Sequence, residues 1–282
     1  WLPYPRKDQS RQTDVKFISA SEPEYVFSPQ DCRHSTLYME KRAVKGEPTV
    51  FSETFEYTSC GEWHNLRAED VQPYDTATAL YKEYTAEREK HIIFSPRLRE
   101  LAAKLTAGEN NPYLKAKRIF RWVNDNFPWA SAREYSTIEN IPEYVLDNRH
   151  GDCGQVSLLF ITLCRISGIP AHFQSGFMMH PRAWNLHDWA EVYFEGVGWV
   201  PVDQSFGIPT FARNADEEYF FMGGIDSWRM IVNTDYGMPL VPEKKYPRSE
   251  TVDFQRGEVE WEGGNLYFPQ WSYHMDIDYL NY

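Results

Sequence analysis

The spacing of apolar positions changes character along the chain. Up to about residue 70 it is short and strand-like. Residues 1–30 carry Pro3, Pro5, Pro23 and Pro29 and read mostly as irregular or edge structure. Strands are predicted over 35–44 and 48–58, the second with Phe51, Phe55 and Tyr57 on one alternating face. Lys45, Gly46 and Glu47 would turn between them. From Thr76 the period becomes helical, with Ala77, Leu80, Tyr81 and Tyr84 in register and Asp75 as N-cap. Ser95 and Pro96 open a second helix over 97–107, with Gly108 just past its end. Asn111 and Pro112 open a third, whose stripe is Leu114, Ile119, Trp122 and Val123 and which ends before Pro128.

Residues 142–146 read as a short helix or turn. A strongly apolar helix then runs from Cys153 to about Ser167 on Val156, Leu159, Phe160, Leu163 and Ile166. Gly168 supplies the stop signal and Pro170 prevents continuation. Three strands are predicted next, over 171–178, 187–194 and 198–205, the last two joined by a turn over 195–198. The pattern weakens after Gly207, and residues 240–282 are rich in Pro, Gly and aromatics without a helical period.

The 282 residues are enough to bury a sizeable core, as one large domain or two ordinary ones. The net charge is −12, from 29 basic and 41 acidic side chains, and no basic stripe appears, which argues against a nucleic-acid partner. No run approaches the roughly 20 apolar residues of a membrane helix. Residues 1–16 are too polar for a signal peptide, and the start at Trp1 rather than Met is what a processed or truncated form would show. The 10 Trp, 18 Tyr and 17 Phe fit a large rigid core, with an aromatic-lined groove as the alternative.

The four cysteines show neither a CxxC pair nor zinc-ribbon spacing. Cys153 and Cys164 sit on one predicted helix ~16 Å apart at 1.5 Å per residue, too far for a disulfide. Cys32 and Cys60 would be free to pair in an oxidising compartment.

Cys153 stands in His150-Gly151-Asp152-Cys153-Gly154-Gln155. At a helix N-terminus the unpaired N–H groups favour a thiolate, and small neighbours leave the sulfur accessible. Asp152 opposes that help if its carboxylate faces the sulfur. Taken alone, Cys153 is better read as structural, as Cys164 is. His187 opens an apolar strand, and Asp203 closes another, where a buried carboxylate needs a partner. Accepting the imidazole N–H would satisfy Asp203 and fix the tautomer. Hairpin parity sets a condition: His187 and Asp203 share a face only if paired residue numbers sum to an even value. A loop over 194–196 makes them opposite, a loop over 195–197 makes them diagonal neighbours, and a two-residue turn separates them.

Four ordered blocks carry a resemblance: Gly151-Asp152-Cys153-Gly154-Gln155; Leu163-Cys164-Arg165-Ile166-Ser167-Gly168-Ile169-Pro170-Ala171; His187-Asp188-Trp189-Ala190-Glu191-Val192-Tyr193; and Gly198-Trp199-Val200-Pro201-Val202-Asp203. Over about residues 115–207 the chain resembles the transglutaminase-like superfamily. That implies an α+β, papain-like fold, with a nucleophile helix packed on an antiparallel sheet. Residues 1–70 would form a small β-rich N-terminal module, 71–239 the catalytic core, and 240–282 an extension packed on it. The resemblance makes Cys153 the nucleophile, His187 the general base and acid, and Asp203 the orienter. Oxyanion-hole candidates are the Cys153 N–H together with Trp129 or Gln155. Trp122 is better placed in its helix stripe, and a capping role for Gln155 is equally open.

The reaction implied is cysteine-dependent amide or peptide hydrolysis through an acyl-enzyme. The alternatives are a protein-glutamine transglutaminase, in which an amine takes the acyl group, and a non-catalytic peptide- or glycan-binding module on the same scaffold. No EF-hand-like loop and no CxxC pair of the peptide N-glycanase type is found. No cofactor is expected, and a metal held by Cys153, His187 and Asp203 ranks well behind catalysis. The expected partner is a peptide or protein substrate, with cell-wall peptides and glycoproteins as sources to consider. The expected location is periplasmic or extracellular in a bacterium, with the cytoplasm left open.

Overall fold

The computed structural model describes residues 1–131 and 133–280. Six strands come first: β1 (Leu2–Pro3), β2 (Gln12–Ala20), β3 (Tyr25–Phe27), β4 (Thr36–Met39), β5 (Glu53–Ser59) and β6 (Glu62–Trp63). Five helices follow: α1 (Ala79–Tyr84), α2 (Pro96–Leu105), α3 (Pro112–Asn126), α4 (Ile141–Asn148) and α5 (Cys153–Ile166). Then come β7 (Ala171–Met178), β8 (Asn185–Phe194), β9 (Gly198–Val202), α6 (Ala215–Glu218), β10 (Gly224–Ile225), β11 (Arg229–Asn233), β12 (Val259–Trp261) and β13 (Gly264–Leu266).

Helix α5 is apolar on every side, and a helix of that kind has to be enclosed. Its residues from Gly154 to Arg165 are all buried. Helices α2, α3 and α4 and strands β7 and β8 all pack against it. Each fully buried Leu, Ile or Phe side chain contributes about 1.5–3 kcal/mol. The helix starts in a capping box, where Asp152 Oδ1 accepts from Gln155 N at 3.1 Å and Gln155 Oε1 accepts from Asp152 N at 3.4 Å. It ends where Gly168 takes φ +76°. That left-handed residue lets Ile169 N reach back to Cys164 O at 3.0 Å.

The sheet beneath α5 is antiparallel with order β11-β7-β8-β9. Its edge strand β11 lies outside the sequence prediction. Gly176 of β7 permits the close approach of β11, because a Cβ there would fall 1.8 Å from Met230 O. The N-terminal strands reach this edge: Arg6 N bonds Ile231 O at 2.9 Å, and Ser35 N bonds Val232 O at 3.1 Å.

Strands β1 to β6 all lie within the first 63 residues, and their pairing differs from the predicted hairpin of residues 35–44 with 48–58. β4 pairs with β1 and β3, whereas β5 pairs with β2. The first thirty residues, expected to be mostly irregular, hold the nine-residue strand β2. Its register against β5 shifts between Thr13 and Lys16, where Asp14 takes φ +52°, and again between Phe17 and Ser19. Such bulges break the alternation that would announce a strand. Helix α1 also starts later than expected, with Thr78 rather than Asp75 as N-cap. All four cysteines, Cys32 and Cys60 included, are free. No helix among the described residues is long and apolar enough to cross a membrane.

Candidate active site

The β8–β9 hairpin settles the parity condition. Ala190 pairs with Val202 and Phe194 with Gly198, which leaves a three-residue loop over 195–197. His187 and Asp203, the residue after β9, therefore share a face as diagonal neighbours. His187 Nε2 lies 2.8 Å from Asp203 Oδ2. With Asp203 ionised, Nε2 carries the proton and donates it, which leaves Nδ1 as the free acceptor. Asp203 Oδ1 accepts from the backbone N–H of Ser205 at 3.1 Å and of Phe206 at 3.2 Å. Arg229 Nη2 is 3.1 Å from Asp203 Oδ2. Burial pushes the Asp203 carboxyl up, but the His187 and Arg229 charges and these hydrogen bonds outweigh it and hold the group below its ordinary range. For His187, burial and Arg229 lower the pKa and Asp203 opposes them; the result lies below the ordinary imidazole value.

Cys153 is the first residue of α5 and is half-buried. Its Sγ donates to Asp188 Oδ2 at 3.3 Å. Asp188 is His187's immediate neighbour, and side chains alternate along a strand. Ala190, Val192 and Phe194 enter the core around α5, so Asp188 leaves β8 on the helix side. Trp189 packs with Ile225 and Ile231 on the other side, which His187 shares. The structure thus brings His187 and Asp203 together and puts Cys153 beside Asp188. Among the described residues, the thiol's hydrogen-bond partner is that carboxyl and not the imidazole.

The surroundings of the sulfur are acidic. Asp188 Oδ2 also lies 3.3 Å from Tyr135 Oη, and Asp188 Oδ1 accepts from Gln255 Nε2 at 2.7 Å. Gln255 Nε2 also donates to the His187 carbonyl at 2.8 Å. Tyr135 Oη donates to Asp152 Oδ1 at 2.6 Å. Burial, then the nearby Asp253 and Asp152 carboxylates, push Asp188 well above the ordinary carboxyl range. Asp152 is pushed up to about 6, chiefly by burial. Burial, then Asp188 and Asp152, raise the Cys153 thiol well above its usual value. Burial, with the acidic surroundings, therefore outweighs the thiolate-favouring helix N-terminus expected from sequence. Gly154 makes this cluster fit: a Cβ there would meet Tyr135 Oη at 2.4 Å and Asp188 Oδ2 at 2.8 Å.

The oxyanion candidates divide. Gln155 is fully buried, closes the capping box and donates from Nε2 to Arg133 O at 3.5 Å. Trp129 is 58% exposed, and its backbone bridges Gly151, two residues before Cys153. Trp122 packs against the core around α5 and edge-on to Phe127. Asp188, Tyr135, Arg229 and Gln255 were not singled out by sequence reasoning. Among the described residues, no group of three His, Cys, Asp or Glu is placed to hold a metal.

Residues 99–204 match the sequence model of the transglutaminase-like superfamily. Among curated proteins, the chain is 27% identical over 135 residues to the uncharacterized protein YebA of Bacillus subtilis, covering 42% of this chain and 18% of that one. It is 23% identical over 125 residues to a protein-glutamine gamma-glutamyltransferase of Pseudomonas aeruginosa, covering 40% of this chain and 19% of that one. The chain thus spans about a fifth of the length of the curated relatives it matches. Among solved structures it is similar to a protein from Cytophaga hutchinsonii provisionally described as a cysteine protease. The TM-score is 0.55 at 18% identity, over 83% of this chain and 74% of that one. That similarity bears on the fold, an α+β arrangement with an antiparallel sheet. Cys153, His187 and Asp203 all lie within residues 99–204, the stretch that matches the transglutaminase-like superfamily.

Proposed function

We propose that the protein is a cysteine-dependent amide or peptide hydrolase working through an acyl-enzyme. Cys153 is the nucleophile, His187 the general base and acid, and Asp203 the group that fixes the imidazole. The observation that carries this reading is the buried His187–Asp203 pair, Nε2 to Oδ2 at 2.8 Å; an ionised Asp203 holds the Nε2 proton and leaves Nδ1 as the acceptor. A basic nitrogen held that way is what a thiol of ordinary or raised pKa needs in order to react.

In the resting arrangement the thiol proton points to Asp188. Because the imidazole leaves β8 on the face opposite α5, activation requires a rearrangement of the α5 N-terminus or of the start of β8 that takes Cys153 Sγ from Asp188 to His187 Nδ1. The thiol proton then passes to Nδ1 as sulfur attacks the substrate carbonyl. Collapse of the tetrahedral adduct breaks the C–N bond, and the imidazolium returns the proton to the leaving amine. Water, deprotonated by His187, releases the acid. The Cys153 N–H at the start of α5 and the Trp129 indole are the candidate donors to the oxyanion. The chain is proposed to act on peptide or protein amides outside the cytoplasm, and fractionation of producing cells tests the location.

The gamma-glutamyltransferase relative favours a second reading, in which an amine takes the acyl group instead of water. The two readings share every step up to the thioester. Alkylation with iodoacetamide near neutral pH, followed by peptide mapping, tests the common part. The expected result is selective labelling at Cys153 that slows in His187→Ala; slow, unselective labelling unchanged by that substitution overturns it. Product analysis on amide libraries, with and without a primary amine, separates the two acceptors.

A further inference from the structure

Arg229 opens β11 and is completely buried. Burying a cation is costly unless opposite charges compensate it. Two carboxylates do so. Nη2 is 3.1 Å from Asp203 Oδ2 and donates to Asp226 Oδ2 at 2.7 Å. The guanidinium carbon lies 4.5 Å from the Phe206 ring centre and 5.8 Å from that of Trp189. The same two rings flank His187, at 5.4 and 5.9 Å between centres. Asp226 Oδ1 in turn faces His180 Nε2 at 3.2 Å. The result is an alternating row, His180–Asp226–Arg229–Asp203–His187, roofed by aromatic rings.

We propose that Arg229 is a positioning residue for the His187–Asp203 pair, aiming the Asp203 carboxylate at Nε2 while its charge keeps the imidazole in the neutral base form. A carboxylate alone beside a histidine would favour the imidazolium, which cannot take a thiol proton. A cation on the same carboxylate oxygen opposes that outcome. The inference deepens the acyl-transfer reading and rests on it for its catalytic consequence.

Charged and titratable groups reach the imidazole's surroundings from several elements, and Arg11, just before β2, lies 5.5 Å from the centre of the flanking Trp189 ring. Asp203 comes from the end of β9, Arg229 from β11, Asp226 from the turn before β11, and His180 from the loop after β7. Asp188 of β8 leaves on the opposite face, toward Asp152 and Asp253. Apart from burial, Arg229 lowers the His187 pKa, whereas Asp203 and Asp226 raise it.

The test follows the His187 ring by NMR titration in the full chain, with His187→Gln identifying its signal, alongside the pH profile of Cys153-dependent turnover. Arg229→Gln is expected to move the titration and the acid limb to higher pH. Turnover should then fall about tenfold at pH 6 and much less at pH 8. Arg229→Lys should retain the wild-type profile. Asp226→Asn, which removes a distant anion, should move both curves to lower pH. These last two variants carry the test should Arg229→Gln fail to fold, as thermal denaturation will reveal. A purely structural role would reduce turnover at every pH without moving the titration. An unmoved titration in folded Arg229→Gln or in Asp226→Asn, or movement of both in the same direction, overturns the proposal. The expected NMR shifts without Cys153-dependent turnover uphold the positioning role and overturn the acyl-transfer reading instead.

Discussion

Replacing Asp203 by Asn separates geometry from charge at the centre of the site. The carboxylate makes four contacts: two backbone N–H groups on Oδ1, and His187 Nε2 at 2.8 Å and Arg229 Nη2 at 3.1 Å on Oδ2. An asparagine can keep Oδ1 for Ser205 and Phe206. Its amide nitrogen then replaces Oδ2 and points donor protons at two donors. His187 escapes by changing tautomer, so that Nε2 accepts and Nδ1 carries the proton. Nδ1 can then no longer take a proton from the thiol. In Ser-His-Asp sites the wrong tautomer lowers kcat by about 10⁴, equivalent to about 5 kcal/mol in the barrier. Arg229 also loses one of its two anions, and breaking a buried pair on one side costs about 3–5 kcal/mol of stability. The assay is kcat/KM on a peptide amide together with thermal denaturation. A folded Asp203→Asn protein within tenfold of wild-type turnover would refute the reasoning.

Three further outcomes are expected. Gly154→Ala must displace Tyr135 Oη or Asp188 Oδ2 from within 3 Å of the new Cβ, at about 1–3 kcal/mol of overpacking; an unchanged melting temperature counts against that crowding. Trp129→Ala, at an exposed position, should leave melting unaltered and lower kcat by about 10²-fold if the indole serves the oxyanion; an unaltered kcat removes it from that role. Glu53 and Glu250 are pushed up to about 8 and Asp152 and Asp253 to about 6, all chiefly by burial. Carboxyls raised in the folded state stabilise it fully below the ordinary carboxyl range and lose that contribution as pH climbs to their folded values. Burial lowers His34, and lowers His91 to about 4, so these two stabilise above their ordinary value and lose that contribution as pH falls. The buried N-terminal amine of Trp1, lowered to about 6, and His187, also lowered, oppose the carboxyls between pH 6 and pH 8, so the test is differential: Glu250→Gln should make the change in melting temperature from about pH 6 to pH 8 more positive than in the wild type, and an identical profile contradicts the burial of that carboxyl.

The legible elements in the sequence are those with local signals. Helices α2 and α3 announced themselves by Ser95-Pro96 and Asn111-Pro112, and each uses that Ser or Asn as its cap. Helix α5 was visible from its apolar run and its Gly168 stop. The β8–β9 hairpin was visible too, and its possible registers could be enumerated, but choosing the three-residue loop required the structure. Strand β11 was illegible because it is five residues long and begins and ends in polar side chains, Arg229 and Asn233. Strand β2 was hidden by its bulges and by a face that is mostly exposed. At the site, the motif blocks marked Cys153, His187 and Asp203, but not their neighbours. Tyr135 and Gln255 reach Asp188 from 53 and 67 residues away, and no local pattern encodes such contacts. Asp188 itself looked like an ordinary strand residue, although alternation places it, rather than His187, on the face that meets the thiol.

The central claim is that a substrate acyl group resides on Cys153. Peptide mass spectrometry after rapid acid quenching, with an activated amide or ester as substrate, reads that group directly. The account predicts a thioester-mass adduct on the Cys153 peptide of the native protein, and neither adduct nor turnover in Cys153→Ala. Undiminished turnover by Cys153→Ala would contradict it.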